Sequence, residues 1–434
     1  MIVDRALEQR ASAGNPIRVG IVGAGFMGRA ITRQIVRRVP GIRIVGIYNR
    51  HPDRAFDAWR GAGVEEVETA DSAAAFARHA AAGRAVVVDE PNLLTDADFV
   101  DVLIETTGEV EFGAGVVTRA LEHGRHVVLN NAELDGTVGP LLHALARTNG
   151  LVLTGIDGDQ PAVQMNLFRF VRSIGLRPLV CGNVKGLQDP YRTPLTQTSF
   201  AQRWGQDAHK VTGFADGTKI SYEQAMVANA TGFGVARRGM LGGDFDGHVD
   251  ELTGHYDFDR LLELGGIVDY VVGARPAPGV YIVALEEEPR EQEYLRLYKM
   301  GDGPLYVFYV PYHLCHYEVP LTIARAALFD DAAIGAAGGP VVEVVATAKT
   351  DLAAGSIIDG IGGFMTYGQC ENAAVADAER LLPMGVAEGC RLVRDVPRDA
   401  TLRYDDVVLP DGRLVDRLRD RQHAQFPTPT EAQA

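Results

Sequence analysis

The sequence predicts an α/β fold that begins with a doubly wound parallel sheet, and two observations carry this prediction. Short apolar runs alternate with segments of helical spacing from residue 17 to residue 154. The first apolar run ends in a glycine-rich hexamer at residues 23–28. Strands that alternate with helices lie parallel because each helix returns the chain to the same end of the sheet. A central α+β domain and a small C-terminal β domain are predicted to follow.

Six strands are predicted for the N-terminal domain from short apolar runs bounded by turn residues or helical segments. They cover 17–22, 42–48, 85–88, 100–105, 126–129 and 151–154. Helices are predicted where apolar residues recur at helical spacing, and a Pro-Gly pair ends the first of them. They run from Met27 to the stop at 40–41, over 114–122 and over 139–148.

The pattern changes after Gly155. A helix at 161–173 and a strand at 178–184 precede a loop-rich stretch, with short elements at 223–230, 259–264, 280–285 and 305–309. From Gly339 onward, short β-like runs without a long helix predict a separate β domain. The predicted domains are therefore 1–155, 156–338 and 339–420, followed by a polar, flexible tail at 421–434.

The charge and cysteine content of the sequence indicate which binding partners and which cellular compartment to expect. The formal net charge is −15, from 57 acidic and 42 basic residues, and no basic stretch is present that could bind nucleic acid. No run of about 18 apolar residues exists, so no membrane-spanning segment is expected. Four scattered cysteines without a C-x-x-C pair, and an N-terminus without a signal-peptide pattern, predict a cytoplasmic protein.

The hexamer Gly23-Ala24-Gly25-Phe26-Met27-Gly28 follows a strand and opens an amphipathic helix, which is the context that a dinucleotide-binding loop requires. Gly23 permits the tight turn, Gly25 lets the backbone approach the pyrophosphate, and Gly28 allows close packing of helix and strand. The helix that starts at Phe26 and Met27 directs its free N–H groups toward the phosphates. The sequence therefore predicts a Rossmann domain and an NAD(P) cofactor.

The end of the second strand favours NADP over NAD. NAD-binding enzymes usually place a carboxylate there, but the positions are Asn49 and Arg50, with no carboxylate before Asp53. Arg50 suits a 2′-phosphate and Asn49 suits the sugar. The fourth and fifth strands end in polar loops, where open α/β sheets bind ligands. The nicotinamide half is therefore predicted to contact Thr106, Thr107, Gly108, Asn130 and Asn131.

The fingerprint and the strand with its polar loop at 126–131 resemble homoserine dehydrogenase. Ala132 stands where homoserine dehydrogenases carry a lysine, which argues against homoserine as the substrate. Four stretches resemble a divergent relative, the reductoisomerase-like enzymes that convert 1-deoxyxylulose phosphate to methylerythritol phosphate: 158–161, 182–191, 214–219 and 311–316. The resemblance covers about residues 17–420. It implies an NADP-dependent reductase or reductoisomerase of isoprenoid biosynthesis, with an SAF (β-clip) domain at 339–420.

Hydride transfer to a carbonyl needs a group that supplies the proton of the product hydroxyl. Lysine suits this task because burial lowers its pKa and its charge stabilises an alkoxide. Lys185 and Lys219 lie in loops that are otherwise poor in lysine, so both are predicted to be catalytic. Asp159 and Asp216 are predicted to orient a lysine, or to hold Mg²⁺ or Mn²⁺ for a skeletal rearrangement before reduction.

Substrate contacts are predicted from the polar residues of these same loops. The stretch 312–316 offers a tyrosine and two imidazoles three residues apart, without the second ligand pair that a zinc site needs. The predicted contacts to a small-molecule substrate are Asn183, Asp189, Tyr312, His313 and His316. A homodimer is expected by analogy with other soluble dehydrogenases.

The residues leave three functions open. The first is reduction or reductoisomerisation of a small ketose, with or without a phosphate. The second is a plain dehydrogenase of a semialdehyde or sugar acid, and the third is an NADP-binding sensor without turnover. Product analysis separates the first two, because only a reductoisomerase changes the carbon skeleton of its substrate.

Overall fold

The computed structural model describes residues 2–427, which form two compact units, each built from two stretches of the chain. The first unit contains residues 2–159 and 314–335, and the second contains residues 160–313 and 336–427. The chain therefore leaves the first unit a few residues after the predicted boundary at 155. It returns to that unit for the 314–335 segment, which the sequence did not predict.

The first unit contains a sheet of seven parallel strands, which confirms the predicted fold class. The strands are β1 (Ile17–Val22), β2 (Ile42–Tyr48), β3 (Val67–Ala70), β4 (Ala85–Val88), β5 (Val102–Glu105), β6 (His126–Leu129) and β7 (Leu153–Gly155). Across the sheet their order is β3-β4-β2-β1-β5-β6-β7. The order in which the strands are added reverses at β1: β2 lies on one side of it and β5 on the other, both parallel to it. Sheets of this kind bind ligands at the carboxyl ends of the strands beside such a reversal.

Helices connect these strands, and one of them comes from the returning segment. The helices are α1 (Ile2–Ser12), α2 (Phe26–Arg38), α3 (Pro52–Gly61), α4 (Ala73–Ala81), α5 (Asn92–Thr95), α6 (Val110–Glu122), α7 (Ala132–Thr148) and α14 (Cys315–Phe329). Val319 and Ile323 of α14 are buried in one apolar cluster with Ile21 and Ile104 of the sheet. This burial explains why the chain returns, because the sheet needs apolar cover that α14 supplies.

The second unit is built on a mixed four-stranded sheet. Its strands are β8 (Arg177–Lys185), β9 (Ile267–Val272), β10 (Gly279–Leu285) and β11 (Leu305–Val310), in the order β11-β10-β8-β9. Only the β8–β9 pair is parallel. The helices are α8 (Gln160–Ser173), α9 (Pro194–Trp204), α10 (Ala208–Ala215), α11 (Thr218–Thr231), α12 (Phe258–Leu264) and α13 (Pro289–Leu297), with a 3-10 helix at Val249–Gly254.

The C-terminal stretch belongs to the same unit. It contains β12 (Val342–Ala348) paired with β13 (Thr366–Asn372), β14 (Arg391–Leu392) paired with β15 (Val407–Val408), the helices α15 (Ala373–Ala378), α16 (Met384–Ala387) and α17 (Leu414–Gln425), and a 3-10 turn at Tyr404–Asp406. The backbone N–H of Gly368 in β13 donates to Thr218 Oγ1 in α11, at 2.9 Å. The C-terminal strands therefore pack on a helix of the central domain.

Several sequence-based predictions differ from the structure: β3 was not predicted, and the largest differences concern helices. Helix α7 begins at Ala132 rather than at 139, because the Asn131 side chain accepts from the Leu134 N–H and caps the helix earlier. Helices α9 and α10 occupy a stretch predicted as loops. The 12-residue helix α17 contradicts the expected absence of a long C-terminal helix and makes residues 421–425 of the predicted tail helical; residues 428–434 lie outside the described residues.

The cysteines and the helices agree with the expectations from composition. All four cysteines are free thiols, three of them buried. In the described part of the chain, none of the helices has both the length and the apolarity needed to cross a membrane.

Candidate active site

The glycine-rich loop of the first unit is too tightly packed for side chains at two of its three glycines. Gly23 has a φ of 108°, and a Cβ there would lie 2.9 Å from the Thr106 carbonyl. A Cβ on Gly28 would lie 2.1 Å from the Gly23 carbonyl oxygen. A Cβ on Gly25 meets no atom within 4 Å, so this backbone is open on one side. The loop therefore fits a pyrophosphate that approaches at Gly25.

Helix α2 presents its N-terminus directly after this loop. It begins at Phe26, which is 47% exposed, and Met27 follows in the first turn. The capping residue Gly25 carries no side chain to accept from the first N–H groups, and no acidic residue lies in the first turn. The positive end of the helix is therefore available to a phosphate.

The residues predicted to select NADP lie at the end of β2. Asn49 Oδ1 accepts from the Ala24 N–H at 2.9 Å, and Asn49 Nδ2 donates to the His51 carbonyl at 2.9 Å. Asn49 therefore holds the glycine loop against β2, and its contact with the sugar stays a prediction. Arg50 is exposed, and it forms no hydrogen bond or ion pair within residues 2–427.

The polar loops after β5 and β6 meet, as their neighbouring strands predict. Asn130 Nδ2 donates to Thr106 Oγ1 at 3.0 Å, and Asn131 Nδ2 donates to the Glu109 carbonyl at 3.1 Å. Thr107 donates from its hydroxyl to the Glu105 carboxylate, and Gly108 follows with a φ of 69°. The residues predicted around the nicotinamide therefore form one hydrogen-bonded edge beside β1.

The second unit brings the two predicted lysines together. Lys185 ends β8, and Asn183 lies two residues earlier, on the same face of the strand. Lys219 stands in the first turn of α11, with Glu223 one turn further along. Burial lowers the pKa of Lys185 most, and the charge of Lys219 lowers it further, while Glu223 and Asp216 oppose the shift. We call Lys185, Lys219, Asp216 and Glu223 the lysine site.

A third lysine, which the sequence analysis missed, contacts this site. Lys349 follows β12, and its Nζ lies 2.7 Å from Asp216 Oδ2, with both side chains at most 3% exposed. Burial raises the pKa of Asp216, and Lys349 opposes that rise. A signal was present in the sequence, because only five of the 42 basic residues are lysines. Three of those five lie at this one place.

The donor set at the lysine site does not fit a divalent cation. Of its two carboxylates, Asp216 is already paired with Lys349, and Lys185 and Lys219 would repel a metal ion. Three lysines stand against two carboxylates, so the site suits a substrate anion or a developing alkoxide better than Mg²⁺ or Mn²⁺.

Two of the predicted aspartates are used elsewhere. Asp159 ends the first stretch of the first unit, where its Oδ1 lies 3.9 Å from Cys315 Sγ. Asp189 accepts from the Tyr191 N–H at 3.1 Å and from Arg192 Nε at 3.0 Å, so its oxygens bond within their own turn. The predicted roles of both residues stay predictions.

The aromatic stretch at 312–316 is divided between the two units. Tyr312 is 53% exposed, and His313 is the last residue of its stretch in the second unit. His316 lies in α14 of the first unit, with its ring centroid 4.1 Å from that of Tyr317, and burial lowers its pKa.

Asn183 is fully buried, and its Nδ2 donates to Gln160 Oε1 at 2.6 Å.

Two family models match separate parts of the chain. Residues 17–131 match a family model described as the oxidoreductase family, NAD-binding Rossmann fold. Residues 158–319 match a model described as oxidoreductase DRL, catalytic domain. Both matched models describe oxidoreductases, and the first of them describes an NAD-binding fold. The four residues of the lysine site lie within the DRL match, and Lys349 lies beyond it. Neither match names a homoserine dehydrogenase or an SAF domain.

Several solved oxidoreductases are distantly similar. Myo-inositol dehydrogenase from Lactobacillus casei, in complex with NAD(H) and myo-inositol, is 17% identical, with 41% of this chain and 49% of that chain covered and a TM-score of 0.30. Levoglucosan dehydrogenase in complex with NADH is 18% identical, with 41% and 46% covered and a TM-score of 0.29. The present chain thus spans about half the length of both. No curated protein sequence matches it.

Proposed function

We propose that this oxidoreductase uses NADPH to reduce a small phosphorylated ketose, with 1-deoxyxylulose 5-phosphate as the first substrate to test. The observation that carries the proposal is the lysine site, a partly buried cluster of two lysines and two carboxylates inside the DRL-matched segment. The motifs at 182–191 and 214–219, which resemble reductoisomerase-like enzymes, contribute three of its four residues.

Lys185 is the proposed acid. Reduction of a ketone adds a hydride to the carbonyl carbon and a proton to its oxygen, so a donor must stand at the oxygen. Burial and the neighbouring charge of Lys219 lower the pKa of Lys185, which makes its ammonium a better proton donor than an exposed lysine. In the reverse direction the neutral amine of Lys185 accepts the hydroxyl proton.

Lys219 is the proposed electrostatic partner. Its charge stabilises the negative charge that develops on the oxygen before the proton arrives from Lys185. Glu223, one turn along α11, limits the repulsion between the two ammonium groups and helps Lys185 to keep its proton until the substrate binds. Together with Lys349, three lysines face two carboxylates, and this excess of positive charge attracts the phosphate of the substrate.

The glycine loop would hold the cofactor, which supplies the hydride when bound. Gly25 leaves room for the pyrophosphate, Gly23 and Gly28 allow the tight packing of the loop, and Thr106, Asn130 and their neighbours line the edge beside β1. The exposed Arg50 at the end of β2, with no carboxylate at the same place, supports NADP as the preferred form. Two further features stay proposals: an SAF-like domain at 339–420 and a homodimer.

The deciding experiment measures NADPH oxidation with a panel of carbonyl substrates. The panel contains 1-deoxyxylulose 5-phosphate, other ketose phosphates, unphosphorylated ketoses and aspartate semialdehyde. We expect turnover with a ketose phosphate, and ¹³C NMR of the product determines whether the skeleton rearranges. Lys185→Met should abolish turnover, whereas Lys299→Met, at an exposed lysine outside the site, should not. Turnover of the semialdehyde alone would contradict the proposal.

A further inference from the structure

Lys349 and Asp216 form a buried ion pair at the edge of the lysine site. We propose that Lys349 is a positioning residue: it neutralises Asp216, so that this carboxylate does not pair with Lys185 or Lys219, and it fixes the turn from which α11 starts. The inference rests on the proposed function, because it assigns Lys185 and Lys219 to the reaction. It also makes the C-terminal stretch part of the active site.

The ammonium group of Lys349 has three acceptors and three protons. Its Nζ lies 2.7 Å from Asp216 Oδ2 and donates to the carbonyl oxygens of Arg192 and Gly363, both at 2.8 Å. These acceptors come from three separate stretches of the chain. Because the ammonium is buried against these three oxygens, Lys349 acts on the reaction through Asp216 rather than on the substrate.

Both carboxylate oxygens of Asp216 also have contacts with the protein. Its Oδ1 accepts from the Thr218 N–H at 2.9 Å, which satisfies a backbone donor of the first turn of α11, and its Oδ2 faces Lys349. Gly217, between the two residues, has a φ of 92° that turns the chain into the helix. The Lys349–Asp216 pair therefore holds the turn at 216–218, and Lys219 directly follows that turn.

The charges around Lys185 show what the pair controls. Glu223 and Asp216 favour its protonated form, and Lys219 disfavours it. Lys349 is paired with Asp216, so we expect it to offset the charge of that carboxylate. Without Lys349, Asp216 loses the cation that opposes the rise of its pKa, and in its ionised form its counterions become Lys185 and Lys219. Without Asp216, Lys349 adds an uncompensated positive charge. Removal of either partner must therefore shift the titration of Lys185, and in opposite directions.

The test compares three variants in the full-length protein. Lys349→Met should lower kcat by about tenfold or more, since a misplaced catalytic group costs at least this much, and should move the alkaline limb of the pH profile to higher pH. Asp216→Asn should move that limb to lower pH. The double variant, which buries no unpaired charge, should return the limb close to its wild-type position and keeps the test possible if Lys349→Met does not fold.

A second measurement separates this inference from the proposed function. With only five lysines, ¹³C labelling of their side chains allows Lys185 to be titrated by NMR in the absence of any substrate. Failure of every ketose phosphate would refute the proposed function and leave this titration readable. Shifts of the Lys185 titration in the same direction for both single variants, or no shift in either, would overturn the role of Lys349.

Discussion

The carbonyl oxygen of Gly23 lies 2.1 Å from the place where a Cβ on Gly28 would stand. The same loop leaves the corresponding position on Gly25 open to 4 Å. The three glycines of the fingerprint therefore meet two different requirements. Gly23 and Gly28 are needed for the packing of the protein itself, and Gly25 is needed for the approach of a ligand.

This difference predicts opposite outcomes for two alanine variants. Gly28→Ala should lower the free energy of unfolding by about 1–3 kcal/mol, because backbone must move to admit the methyl group. Gly25→Ala should leave the stability of the ligand-free protein unchanged or slightly higher, because its φ of −71° suits alanine. Both variants should bind NADPH more weakly. Thermal unfolding and fluorescence titration with NADPH measure the two effects, and equal stability losses would contradict this division of roles.

Arg50 should determine the preference between the two nicotinamide cofactors. A charge-assisted hydrogen bond to a 2′-phosphate contributes about 1.5–3 kcal/mol, so Arg50→Ala should reduce kcat/KM for NADPH by roughly tenfold to a hundredfold. The value for NADH should hardly change. Arg54→Ala is the control, because Arg54 lies within α3 and not directly after β2. A variant that loses activity equally with both cofactors would show that Arg50 does not read the phosphate.

The pH dependence of reduction should follow Lys185. Its folded pKa is lowered, and the acid must be protonated to act, so the rate of reduction should fall as the pH rises through that pKa. The alkaline limb should therefore lie below the ordinary lysine value, and the reverse oxidation should gain over the same range. Lys185→Met should lower kcat by about 10²–10⁴-fold and remove this limb. A limb that persists in the variant would assign the acid to another group.

Two glutamines on one face of α8 should respond differently to the same substitution. Gln164 is fully buried, and neither of its amide atoms has a hydrogen-bond partner among the residues that the structure describes. Gln160, one turn earlier, accepts from Asn183. Gln164→Met should raise the free energy of unfolding by about 1 kcal/mol, since it removes an unsatisfied buried amide. Gln160→Met should lower it. Urea denaturation of both variants checks the signs, and a loss of stability in Gln164→Met would reveal a structural partner.

Much of the fold could be predicted from local patterns alone. The bounds of β1, β2, β4 and β6 agree with the prediction residue for residue, because short apolar runs bounded by turns or helices have few other structures available. The helix α7 was predicted too short, since it begins after the Asn131 cap, seven residues upstream of the predicted start at Gly139. Prediction failed most in the 187–215 stretch, where α9 carries a weak amphipathic pattern and α10 has only eight residues.

What the sequence by itself determined is the cofactor loop, since its glycines, strand and helix are neighbours in the chain and their geometry is local. It also singled out Lys185 and Lys219 as candidates. Only the tertiary structure decided that Lys349, 130 residues after Lys219, pairs with Asp216 beside them. The physical reason is that a buried charge requires a counterion, but nothing in the spacing of residues states which distant strand supplies it.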